Sequence, residues 1–124
     1  QLEKLDAGLL MWNMRRKVQV EGLPRRRVVI QFMFPEQREG ENNYWFLVDP
    51  ETGADLCCVE PGFDIDLYVR TDLRTMTAVY MGLESYAKAV EDGKLLLIGD
   101  SGIEKDMLAW LRLSRFATVE KQVA

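Results

Sequence analysis

Residues 28–34 read Val28-Val29-Ile30-Gln31-Phe32-Met33-Phe34, and the period of this stretch decides the fold. Val28, Ile30, Phe32 and Phe34 alternate with Val29, Gln31 and Met33, a two-residue repeat in side chains that are mostly β-branched or aromatic. That pattern belongs to a β-strand rather than a helix. Both faces are mostly apolar, which predicts a central position in the sheet.

Working outward toward the C-terminus, the polar loop Pro35–Asn43 leads into Tyr44-Trp45-Phe46-Leu47-Val48. The turn Asp49-Pro50-Glu51-Thr52-Gly53 then suits an antiparallel hairpin whose return strand is Leu56–Val59. After Pro61-Gly62, Ile65, Leu67 and Val69 alternate with Asp66, Tyr68 and Arg70, a strand with one wet face that puts Asp66 and Arg70 in solvent. Thr71 or Asp72 can cap a helix on which Leu73, Met76, Thr77 and Tyr80 share a face, ending at Gly82. A shorter helix carrying Leu83, Tyr86, Ala87 and Val90 stops at Gly93, and Lys94–Ile98 forms a fifth strand. Ser101 with Glu104 three residues on has the spacing of a capping box for a last helix bearing Ile103, Met107, Trp110 and Leu111.

Toward the N-terminus, Gly22 and Pro24 separate the first strand from a helix over Leu2–Val18. This helix carries two apolar stripes, Leu2, Leu5, Leu9 and Trp12 on one and Ala7, Leu10, Met11, Met14 and Val18 on the other. It is therefore apolar around most of its circumference, as either one broad core face or a core face plus an interdomain or dimer contact. Arg15, Arg16 and Lys17 sit where cations favour a helix C-terminus, and Arg25, Arg26 and Arg27 lead into the first strand; both clusters read as solvated termini or as a contact for an anion or a partner domain. The order is α-β-β-β-β-α-α-β-α. It predicts an α+β domain with a five-stranded, mostly antiparallel sheet covered on one face by helices.

The whole chain, residues 1–124, fits a single domain with an ordinary globular composition of 48% hydrophobic and 29% charged residues. It starts at Gln1 in mid-pattern, which suggests an excised piece in which residues 1–18 join a missing N-terminal domain. The net charge of −4 argues against direct nucleic-acid contact, since phosphate binding draws on clustered cations. No apolar run is long enough to span a bilayer, and the expected location is cytoplasmic.

The residue inventory also weighs against catalysis. The chain has no histidine, which removes the usual base of nucleophile pairs and the commonest metal ligand. Ser101 in Gly99-Asp100-Ser101-Gly102 has no imidazole to activate it and reads as a helix cap. Adjacent Cys57 and Cys58 lack zinc-site spacing, and the acidic group Asp49, Glu51, Asp55, Glu60, Asp64 and Asp66 lacks that of a calcium loop. The glycines are dispersed, so no phosphate loop is present. No catalytic residue, metal or cofactor is implied.

What remains is a surplus of adaptable bulk: six Met, three Trp, four Tyr and five Phe. Met76, Tyr80, Met81, Met107, Trp110 and Phe116 lie in the helices and tail that must cover the sheet bearing Phe32, Phe34, Trp45 and Phe46. Such residues either fill a core or surround a pocket for a hydrophobic small molecule.

The stretch Asp92-Gly93-Lys94-Leu95-Leu96-Leu97-Ile98-Gly99-Asp100, with the helix ending Met107-Leu108-Ala109-Trp110-Leu111, resembles the closing strand and helix of sterol carrier protein type-two-like domains. Asp64–Leu73, running to Tyr80-Met81-Gly82, is similar to that family's strand-then-helix passage. More narrowly, Tyr44-Trp45, Asp55-Leu56-Cys57, Pro61-Gly62-Phe63, Thr71-Asp72-Leu73-Arg74-Thr75 and Leu111–Ala117 resemble the domain C-terminal to winged helix-turn-helix regulators of the HxlR type. The resemblance runs over about Val28–Ala117 and implies an apolar tunnel for a lipid-like ligand, with a DNA-binding winged helix in the same parent chain. The closing Lys121-Gln122-Val123-Ala124 is no peroxisomal targeting tripeptide, and the family supplies no catalytic set to carry over. The expectation is an effector-sensing domain of a bacterial transcriptional regulator; the alternative is a dimerisation module with a filled core.

Overall fold

The computed structural model describes residues 6–113. Five strands, β1 (Val28–Met33), β2 (Asn43–Asp49), β3 (Gly53–Cys57), β4 (Leu67–Thr71) and β5 (Leu95–Gly99), form one sheet in the order β3-β2-β1-β4-β5. The strand read first is the central one. β1–β2, β2–β3 and β4–β5 pair antiparallel, while β1 and β4 run parallel because the chain passes from the β3 edge to the far side of β1. The hairpin between β2 and β3 is fixed by the Asp49 carboxylate, which accepts the Glu51 N–H at 2.9 Å, and by Gly53 at a positive φ of 90°.

The helices are α1 (Ala7–Arg15), α2 (Leu73–Tyr80), α3 (Tyr86–Glu91), α4 (Ser101–Lys105) and α5 (Met107–Trp110). Side chains two apart on a strand share a face, and cross-strand partners share it too. One face therefore carries Val28, Ile30, Phe32, Tyr44, Phe46, Val48, Leu67, Val69, Thr71 and Leu95. All are buried, in one cluster with Met11 and Met14 of α1, Met76 of α2, Ile103 of α4 and Met107 and Trp110 of α5, Thr71 alone standing outside its apolar membership. The core is the layer between this face and the helices.

Local chemistry departs from the sequence reading at several points. α1 stops at Arg15 instead of continuing to Val18, because Lys17 and Val18 donate back three residues and the Gln19 N–H is drawn to the Trp110 carbonyl at 2.7 Å. Asp72 is the cap of α2, its carboxylate accepting the Thr75 N–H at 2.7 Å. The cap of α4 is Asp100, not Ser101: Asp100 is extended and takes the Ile103 N–H at 3.0 Å, which makes Ser101 the first helical residue. The single last helix is two short ones broken at Asp106. Leu83 and Val90 are exposed, so α3 buries only Ala89.

Asp66 also differs from its expected place in solvent. Its carboxylate accepts the Val29 N–H at 2.8 Å and lies 3.1 Å from the Arg26 guanidinium, tying the start of β4 to β1. The Asp66 carbonyl in turn accepts from Asp100, beside Gly99. A Cβ at Gly99, whose φ is 140°, would run into that same Asp66 carbonyl. Arg70 is exposed, as read from the sequence.

Candidate ligand-binding site

Of the two apolar stripes, Ala7, Leu10, Met11 and Met14 of the second are buried in the core, and Val18, beyond the end of α1, packs half-buried against it. Leu9 and Trp12 of the first are 59% and 51% exposed. The helix thus packs with one stripe and presents the other. Arg15 stacks its guanidinium 3.8 Å from the Trp12 ring centroid, which covers part of that stripe with a cation.

Between α1 and α2 lies a cleft of about 330 Å³ lined by Asp6, Leu9, Leu10, Asn13, Thr77, Tyr80 and Met81. Asp6 is held there as the α1 cap, accepting the Leu9 N–H at 3.0 Å. Thr77 turns its hydroxyl onto the Leu73 carbonyl at 2.8 Å, which occupies its polar group within α2. Tyr80 spans the helices, with its hydroxyl 3.5 Å from the Asn13 carbonyl. A second cleft, of about 490 Å³, is lined by Lys17, Tyr80, Leu111, Arg112 and Leu113. Tyr80 belongs to both, so an apolar cleft and a cation-lined one meet at its ring.

The residues expected around a pocket divide by place. Phe32, Phe34, Phe46, Met76, Met107 and Trp110 are fully buried in the common core, with Phe32 and Phe46 edge to face at 5.0 Å between centroids. The Trp110 indole donates to the Ile103 carbonyl at 2.9 Å, satisfying its one polar atom. Tyr80 packs on the edge of this core, and Met81, exposed at the end of α2, lines the α1–α2 cleft. Trp45 does not join them. It pairs with Gln31 and Cys57 on the opposite sheet face, as it must when its strand neighbour Phe46 points to the helices. It is nonetheless only 7% exposed, and its Nε1 finds no hydrogen-bond partner among the described residues. Phe116 lies outside the described residues.

Titration adds little chemistry. Burial, with Glu104 next in weight, pushes the Tyr86 phenol up to about 12. Burial likewise raises the Cys57 thiol, with Asp55 and Cys58 adding to it, and keeps it protonated and a poor nucleophile. Both cysteines are free thiols. No described helix is long and apolar enough to cross a membrane.

No protein-family model matches the chain, and no curated protein matches it in sequence. Solved structures do match its shape. A palmitated SCP2L2 from Aedes aegypti superposes at a TM-score of 0.60 with 17% identity, over 86% of this chain and 95% of that one. A crystal structure of Sterol Carrier Protein 2 Like 2 from the same species gives 0.58 and 18%, over 82% and 93%. The fold is sterol-carrier-like. A double mutant of the sec-alkyl sulfatase PisA1 reaches 0.65 at 9% identity over 86% of this chain, which spans only 16% of that enzyme's length. At such identities the likeness is one of fold.

Proposed function

We propose that the chain binds a lipid-like or other hydrophobic small molecule and acts as a sensor rather than a catalyst. The observation that carries this reading is the α1–α2 cleft, with Leu9 and Met81 at its exposed rim and buried Leu10 at its floor. Leu9, Leu10, Tyr80 and Met81 give it apolar surface for a hydrocarbon, Thr77 has its hydroxyl engaged elsewhere, and Asp6, the α1 cap, and Asn13 are the polar side chains beside that surface. The adjoining Lys17 and Arg112 suit an anionic end group on such a molecule. A sterol-carrier-like fold, shared with a palmitated mosquito protein, supports the same ligand class. The buried Phe32, Phe34, Phe46, Met76, Met107 and Trp110 are the side chains that a longer ligand would have to part, and methionines are suited to repacking.

We assign the sensor to the C-terminal part of a bacterial transcriptional regulator, with a winged helix preceding Gln1. α1 supports this role because it forms one wall of the cleft while Leu9 and Trp12 face outward. A ligand that binds better to one arrangement of α1 against α2 shifts that helix, and with it whatever the helix joins. The test is native mass spectrometry of protein purified without delipidation, followed by thermal-shift titration with palmitate, a sterol and aromatic acids. Co-purified lipid or a saturable rise in Tm is expected. Absence of both at high micromolar ligand overturns the reading in favour of a dimerisation module with a filled core.

A further inference from the structure

β5 is an edge strand. Among the described residues it pairs only with β4, through the register Leu67↔Gly99 to Thr71↔Leu95. At one end the Asp100 N–H donates to Asp66, and at the other the Lys94 carbonyl accepts from the Thr71 hydroxyl, so the even-numbered residues direct their backbone groups toward β4. Successive residues of a strand alternate in this respect, which turns the N–H and C=O of Leu97 to the outside, while those of Leu95, a residue only 1% exposed, lie under cover. Edges of this kind pair with other strands unless charge, proline, a bulge or a covering element prevents it. The opposite edge carries a charge: β3 has exposed Asp55 in its middle, with α1 packed against the strand, while the helices in contact with β5 are α3 and α4, which precede and follow it in the chain. β5 reads Leu95-Leu96-Leu97-Ile98-Gly99, with no charge or proline, and Leu96 and Ile98 are 45% and 58% exposed on the uncovered face.

We propose that β5 is the seam of a symmetric dimer, in which two copies pair this strand antiparallel about Leu97 and join two five-stranded sheets into one of ten strands. A strand that meets its own copy across a two-fold axis must be self-complementary, and the sequence around Leu97 is. Centring on Leu97 sets Leu96 of each copy opposite Ile98 of the other, and Lys94 of each opposite Asp100 of the other. Leu97 meets Leu97 as a hydrogen-bonded pair, using the outward groups identified above. The Leu96–Ile98 pairs then fall at non-hydrogen-bonded positions, where facing side chains come closest. Lys94 and Asp100 keep 52% and 41% of their side chains exposed, although each already has a partner within its own copy, Glu84 for Lys94 and Arg26 for Asp100. Two such rim pairs fix register more than they add affinity. A shift of the strands by two residues in either direction loses both pairs and sets Gly99 or Lys94 against the apolar positions.

The seam is independent of the ligand reading. α1 packs at the β3 edge, so pairing through β5 leaves the α1–α2 cleft of both copies open. Sedimentation equilibrium of the whole chain from micromolar to millimolar concentration should show a monomer–dimer equilibrium. Ile98→Lys places a like charge on each side of the seam and should raise the dissociation constant at least about tenfold, with an unchanged circular dichroism spectrum. Lys94→Glu should raise it less. For register, Leu96→Cys and Ile98→Cys proteins, both also carrying Cys57→Ser and Cys58→Ser, should form intermolecular disulfides faster when mixed than either does alone. A monomer at every concentration overturns the proposal. So does a dimer that tolerates Ile98→Lys but dissociates with Trp12→Glu, or cross-linking in the mixture no faster than in the separate variants.

Discussion

The two faces of the sheet are built from alternate residues of the same five strands, yet they have opposite fates. The covered face, from Val28, Ile30 and Phe32 through Phe46 to Leu67 and Val69, is apolar except for Thr71 and is sealed by α1, α2, α4 and α5. The other face interleaves Gln31, Asn43, Asp55 and Arg70 with Val29, Met33, Trp45, Leu47, Tyr68, Leu96 and Ile98. Its burial is graded instead of complete: Val29 and Trp45 are shielded near the centre, and Leu96 and Ile98 are open at the β5 edge. The faces differ in how far polar side chains interrupt their apolar surface. Gln31, Asn43, Asp55 and Arg70 interrupt this face on β1 to β4, and a helix layer packed there would have to bury polar and charged groups.

Truncations matched across the sheet break this comparison most sharply. Phe32→Ala or Trp110→Ala, each at a fully buried site, should cost about 3–5 kcal/mol in urea unfolding. Tyr68→Ala on the other face should cost under about 1 kcal/mol. Equal losses would mean that the second face is covered as tightly as the first. Gly99→Ala comes next, at about 1–3 kcal/mol, because it combines a strained positive φ with an approach to the Asp66 carbonyl. Asp66→Ala leaves the buried Val29 N–H without its acceptor and should cost a similar or smaller amount, about 1–2 kcal/mol.

A further effect is one of pH. The Tyr86 phenol is raised from 10.0 to about 12 in the folded chain, so the folded state holds its proton more tightly than the unfolded state does. That contribution is complete below pH 10 and is lost as the pH rises from about 10 to 12. In Tyr86→Phe, measured by chemical unfolding across the same range, this part of the alkaline decline should be absent. An unchanged slope would place the cause in other groups.

Strand positions were legible in the sequence because a period of two survives any tertiary arrangement. Val28–Phe34 alone identified the central strand, and Asp49–Gly53 the hairpin. Trp45 and Phe46 cannot line one pocket under that same period, since adjacent strand residues point apart. The cap at Asp100 was obscured by a capping-box spacing at Ser101, and Asp and Ser are nearly equal as caps, so only the backbone distinguishes them. Asp66 gave no signal of its role, because an acceptor for an N–H 37 residues away depends on the parallel pairing of β1 and β4. The cleft was half visible. Leu9 stands out in the first apolar stripe of the N-terminal helix and Tyr80 on a face of α2, but their meeting depends on how α1 packs beside α2, which no local pattern encodes.

Entry of an apolar ligand between α1 and α2 can be tested by palmitate titration of the wild-type chain beside Leu9→Glu, followed by calorimetry or tryptophan fluorescence. Leu9 is exposed on the cleft rim, so the variant should fold normally while placing a carboxylate where the hydrocarbon must pass. Saturable binding to the wild type is expected, with an affinity lower by about tenfold or more in the variant, in keeping with the cost of desolvating a charge. Equal binding by both proteins, or none by the wild type, would contradict it.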